Sequence, residues 1–83
     1  MTPVHLRYFA SIRETLGCGS EAWQTSALTV GALRAELVKR GDAFQCLSPD
    51  QPVRMALNQV MCQPSDALTP GCEVGFFPPV TGG

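Results

Sequence analysis

Residues that carry catalysis are scarce in this sequence. Its 83 residues include a single histidine, and His5 has no carboxylate or cysteine spaced to work with it. It reads either as a solvated strand position or as a catalytic group, and nothing nearby supports the second. There is no glycine-rich phosphate loop and no pairing of a nucleophile with a base. Four cysteines (Cys18, Cys46, Cys62 and Cys72) form no close pair and match no zinc spacing. In a short chain they suggest either a disulfide framework or free thiols, and the lack of an export signal favours free thiols. Charge is also scarce: the formal net charge is -1 and the six Lys and Arg residues are dispersed, with only Lys39 and Arg40 adjacent. That excludes the electrostatic footprint of a nucleic-acid or anionic-membrane binder. The first residues lack the basic start and apolar core of a signal peptide, and no apolar run is long enough to span a bilayer. The expected compartment is the cytoplasm.

The sequence does have the makings of one small folded body and a distinctive tail. Apolar residues make up 45% of the chain, as in an ordinary globular domain, and the length allows one domain at most. Its last eight residues are Phe76-Phe77-Pro78-Pro79-Val80-Thr81-Gly82-Gly83. Two prolines fix φ and favour an extended conformation, so residues 78–83 read as a semi-rigid tail on a 1–77 body. The six residues beyond Phe77 would reach roughly 20 Å when extended, enough to enter a cleft on another protein. Gly82 and Gly83 would let neighbouring backbone approach the terminal carboxyl closely. A carboxylate is a poor acyl donor until it is activated. An acyl adenylate supplies the leaving group and opens the carbonyl to sulfur or an amine. A frayed, inert terminus is the plain alternative.

The body alternates strands and helices. Residues 4–10 alternate as a strand, with Val4, Leu6, Tyr8 and Ala10 on the core face and His5, Arg7 and Phe9 on the other. Ser11 is placed to cap a short helix over 12–16 that Gly17 ends. Residues 21–27 read as a second strand carrying a half-buried Trp23. Thr29 caps the main helix, 30–40, with an apolar stripe of Val30, Leu33 and Leu37 and a left-handed stop at Gly41. A helical turn over 42–47 follows, then two short strands, 53–57 and 60–62, joined at Asn58-Gln59. The last strand is 72–77.

In that last strand Val74 and Phe76 share one face, while Glu73, Gly75 and Phe77 share the other. First and last strands pair centrally in folds of this element order, which would set Phe9 beside Phe77. With Met61 they would form an exposed apolar patch at the root of the tail, unless the chain itself covers both sheet faces. The element order describes an α+β roll, a mixed five-strand sheet with one main helix on one face.

End to end, the sequence resembles the small subunits of molybdopterin synthase, sulfur carriers of the ubiquitin-like β-grasp kind. The similarity is carried by Tyr8-Phe9-Ala10 with Ile12-Arg13-Glu14, Thr29-Val30 with Ala32-Leu33-Arg34, Ala56-Leu57-Asn58-Gln59, Leu68-Thr69 with Gly71 and Glu73-Val74, and the whole tail. It departs locally at Leu57 and at Cys72, where an acidic residue is common.

The resemblance implies a protein cosubstrate that is not an enzyme on its own and binds neither cofactor nor metal. An E1-like activating enzyme would adenylate Gly83 with ATP, and sulfur from a persulfide enzyme would displace AMP to leave a C-terminal thiocarboxylate. That sulfur would pass to cyclic pyranopterin monophosphate in the large synthase subunit, within a heterotetramer. Gly83 would carry the reacting carbonyl and Gly82 give clearance, while Pro78, Pro79, Val80 and Thr81 guide the tail. Phe77, Phe9 and Met61 would form the docking face with Arg13 at its edge. Rival readings are a carrier for thiamine or cysteine synthesis, a ubiquitin-like modifier, or an interaction module with an inert tail.

Overall fold

The computed structural model describes residues 1–79. Its elements are β1 (Thr2–Tyr8), α1 (Ala10–Leu16), β2 (Ser20–Thr25), α2 (Val30–Val38), a 3-10 helix (Asp42–Leu47), β3 (Arg54–Leu57), β4 (Val60–Met61) and β5 (Cys72–Phe77). The five strands form one mixed sheet in the order β2-β1-β5-β3-β4. β1 and β5 run parallel at its centre, and every other pairing is antiparallel. This is the α+β, ubiquitin-like β-grasp arrangement expected above.

The core lies between the sheet's inner face and the helices. Val4, Leu6 and Tyr8 of β1 and Cys72, Val74 and Phe76 of β5 are buried with Val30, Leu33 and Leu37 of α2. Ile12, Leu47 and Met55 complete the cluster. The strand period of two and the helix spacing of three and four put these residues on facing surfaces. Tyr8 and Phe76, paired in register, stack with ring centroids 6.1 Å apart. Their position at the centre of the sheet keeps the root of the tail on a rigid frame.

Several boundaries differ from the sequence reading, each for a local reason. β1 stops at Tyr8 because Ala10 takes φ 51 and turns the chain, so Ala10 starts α1 instead of extending the core face. Phe9, not Ser11, is the N-cap residue, and it offers no side-chain cap. Its carbonyl instead accepts the amides of Ile12 and Arg13 at 3.1 and 3.3 Å, and its own amide donates to the Phe76 carbonyl at 3.1 Å. β2 spans Ser20–Thr25 because the Thr25 hydroxyl accepts the Ala27 amide at 2.9 Å and bends the chain away. α2 ends at Val38 with Lys39 still right-handed, and Gly41 adopts φ 142 at the start of the 3-10 helix instead of a left-handed stop.

Other expectations hold. Thr29 caps α2 by accepting the Ala32 amide at 3.2 Å, and Gly17 is left-handed with φ 77. Asn58 and Gln59 both have positive φ, 50 and 69, the backbone of a tight primed hairpin turn. Asn58 also ties that hairpin to β5, since its Oδ1 accepts the Glu73 amide at 2.9 Å. Cys18, Cys46, Cys62 and Cys72 are free thiols. No helix is long and apolar enough to cross a membrane among the described residues.

Candidate functional site

The outer face of the sheet lacks the helical cover of the inner one. The pleat aims Arg7 of β1 and the following Phe9, Glu73, Gly75 and Phe77 of β5, Arg54 and Ala56 of β3, and Met61 of β4 to this side. Phe9 stays 40% exposed and Met61 55%, so the apolar surface at the end of the central strands is open to solvent. Phe77 is half-buried. Its ring meets Phe9 edge-on, with centroids 6.2 Å apart and planes at 85°, a favoured aromatic geometry.

Gly75 makes this arrangement possible. A Cβ there would sit 3.2 Å from Cε2 of Phe9, so the missing side chain lets Phe9 lie across β5 towards Phe77. Arg7 stacks its guanidinium 5.4 Å from the centre of the Phe9 ring and pairs with Glu73 at 3.5 Å. An open groove of about 410 Å³ results, lined by Phe9, Ala56, Gln59, Met61, Glu73, Gly75 and Phe77. Burying one of its large apolar side chains against another molecule would contribute about 1.5–3 kcal/mol.

The structure thus brings Phe9, Phe77 and Met61 into one groove. Arg13 is elsewhere: it does not line the groove, and its side chain runs over Gly19, whose Cβ would lie 3.3 Å from Nε. Pro78 and Pro79 are half-buried. They line a smaller cleft of about 150 Å³ with Ser11, Ile12 and Thr15 of α1, Cys46 of the 3-10 helix and the 51–53 loop. The tail therefore starts against the body, not in free solvent. Val80, Thr81, Gly82 and Gly83, the guide and reacting end expected from the sequence, lie outside the described residues.

Sequence reasoning did not single out Arg7, Gly75 or Ala56 for the groove. The alternation assigned Arg7 to the same face as Phe9, but only the register of β1 on β5 sets it beside Glu73. The groove supplies apolar surface and a flanking ion pair, with no nucleophile beside a base. Among the described residues, no three side chains of metal-binding type come together. Its physical capacity is to hold another molecule by shape and apolar contact.

The profile of the ThiS family matches residues 6–83. The chain is 35% identical over 80 residues to the molybdopterin synthase sulfur carrier subunit of Escherichia coli K12, covering 96% of this chain and 99% of that one. It is 31% identical to the subunit of the same name from Haemophilus influenzae, with the same coverage. Among solved structures, a putative molybdopterin converting factor subunit 1 from Pyrococcus furiosus superposes with a TM-score of 0.79 at 27% identity, covering 96% of this chain and 100% of that one.

Proposed function

The chain belongs to the ThiS family, and on that premise we propose that it is the sulfur carrier subunit of a molybdopterin synthase. The observation that carries this reading is similarity over nearly the whole chain to two relatives of that name. The aromatic groove at the root of the tail supports it, because a carrier has to dock before it delivers.

The chemistry resides at Gly83. Its carboxylate attacks the α-phosphate of ATP on an activating enzyme, releasing pyrophosphate and leaving an acyl adenylate. Persulfide sulfur from a second protein then attacks the carbonyl carbon and expels AMP. Reductive cleavage of the sulfur–sulfur bond by a thiol of the donor leaves a thiocarboxylate. The tail carries that sulfur into the large subunit, where it is transferred to cyclic pyranopterin monophosphate. Two deliveries complete the dithiolene. Acid, base and anion-binding groups belong to the partners, and this chain supplies reach, clearance and docking.

Two measurements test the reading. The thiocarboxylated chain, incubated with the large subunit and the pyranopterin precursor, is expected to yield molybdopterin; no product would sink the pathway assignment. Deleting Gly83, or adding one residue after it, is expected to abolish delivery while leaving the melting temperature unchanged. Normal delivery by either variant would refute a terminal-carboxylate mechanism.

A further inference from the structure

Beyond Met61, at the β3–β4 edge of the sheet, lies a second cleft of about 430 Å³, lined by Arg34 of α2, Arg54, Cys62 and Gln63 together with apolar neighbours that include the core-facing Met55. Met61 lines both this cleft and the aromatic groove, so the two surfaces adjoin. Two arginines line the second cleft, and no carboxylate does among the described residues, but Asp50 acts on Arg34 and Asp66 on Cys62 from beside it. Arg54 is the cleft's exposed cation, and it makes no ion pair among the described residues.

The two arginines differ in freedom. Arg34 is anchored: its Nε donates to the Leu47 carbonyl at 2.5 Å, and Nη2 donates to the carbonyls of Ser48 and Gln51 at 2.7 and 2.9 Å. Carbonyl oxygens hold it in place, and the Asp50 carboxylate acts on its charge. Arg54 is exposed and stands directly opposite Phe77 on β5. It flanks the apolar groove beside the root of the tail. On the other flank Arg7 already has Glu73 at 3.5 Å. One edge of the groove is therefore internally neutralised by an ion pair, and the other presents Arg54.

We infer that this cleft receives an acidic side chain of the protein that docks on the aromatic groove, and that Arg54 is the contact that recognises it. The partner segment sets an apolar residue against Phe9, Phe77 and Met61 and carries an Asp or Glu nearby that meets the Arg54 guanidinium. Such a pair is charge-assisted and directional, and at an interface rim it sets association rate and orientation more than residence time. The inference rests on the docking role assigned above and adds the charge complementarity of the partner.

The test is association kinetics of the full chain with the large synthase subunit of the same organism, measured across a series of salt concentrations. Arg54→Glu is expected to slow association about tenfold at low salt, and Arg54→Ala about threefold with a shallower salt dependence. Arg54→Lys is expected to keep most of the rate, and Arg7→Ala to change it less than Arg54→Ala. An Arg54→Glu chain with the parent's rate and salt dependence would overturn the inference while leaving the docking reading intact. So would an Arg54 effect that disappears when residues 80–83 are removed, because the cleft would then serve the chain's own carboxylate. A parent chain that does not bind the large subunit would overturn both.

Discussion

On the inner face of the sheet, Leu6, Val74 and Phe76 have no solvent exposure and share one core with Leu33 and Leu37 of α2; on the outer face, Phe9 and Met61 remain 40% and 55% exposed. The polar groups follow the same division. At the inner margin the Trp23 indole and the Thr25 hydroxyl donate to Glu36 at 2.9 and 2.6 Å. Nearby, Tyr8 and Arg40 both donate to Glu21 at 2.8 Å, and the Arg40 guanidinium lies 4.3 Å from the ring centres of both Trp23 and Phe44. Among the described residues, no buried side-chain polar atom lacks a partner. The inner face is thus completed by the chain itself. The outer face keeps aromatic surface exposed, and its Arg7–Glu73 ion pair is exposed enough to contribute little to folding. Two sides of the same strands answer to different demands, one to stability and the other, in the docking role proposed above, to a second molecule.

Adjacent phenylalanines offer the strongest way to break this comparison. Phe76→Ala is expected to cost about 3–5 kcal/mol of folding stability, because its fully buried ring leaves a cavity in the core. Phe77→Ala is expected to cost only about 1 kcal/mol, mainly the edge-on contact with Phe9. The same change is expected to weaken binding to the large subunit about 10- to 100-fold. Denaturant unfolding and binding of both variants decide it. Equal stability losses would mean that the two faces are not distinct.

A smaller effect probes the inner margin by pH. Burial pushes the Glu21 carboxyl up, but hydrogen bonds from Arg40 and Tyr8 outweigh it and hold the group below its ordinary value of 4.5. Glu36 is likewise lowered on balance, burial being outweighed by hydrogen bonds from Thr25 and Trp23. A carboxyl depressed in the folded state adds stability above its unfolded pKa, and that stability is lost as pH falls through the folded pKa. The melting temperature is therefore expected to decline below about pH 4.5. The decline should be shallower in a Glu21→Gln, Glu36→Gln variant. An equally steep decline in that variant would show that these two carboxyls do not tie the inner margin together.

The smallest expected effect is at Gly75. The Cβ added by Gly75→Ala lies 3.2 Å from the far edge of the Phe9 ring, so the ring need move only a few tenths of an ångström. Stability is expected to change by less than about 1 kcal/mol, while a bulkier Gly75→Val closes the groove and weakens partner binding. Unchanged binding in Gly75→Val would show that the groove's shape does not matter.

Much of this was legible before the fold was known, because it depends on local periodicity. Alternation alone separated Phe76 from Phe77 and Tyr8 from Phe9, and β5 occupies the predicted residues. The stripe of Val30, Leu33 and Leu37 followed from helical spacing, and all three are buried. Boundaries were less legible where one residue's backbone or hydroxyl decides them, as at Ala10 and Thr25. The contents of the groove were hidden for a different reason. Gly75 beneath Phe9, Glu73 beside Arg7 and Arg54 opposite Phe77 depend on which residue of one strand faces which residue of another. That register is selected by burying Leu6, Val74 and Met55 together, and no local period encodes it.

By itself, then, the sequence determined the order of the elements, the face of the side chains within the central strands and main helix, and the composition of the tail, since these follow from short-range pattern and backbone chemistry. Only the tertiary structure decided which outward side chains meet. Parallel pairing of β1 with β5 joins residues some 70 positions apart, and that contact is chosen by the packing of the whole core.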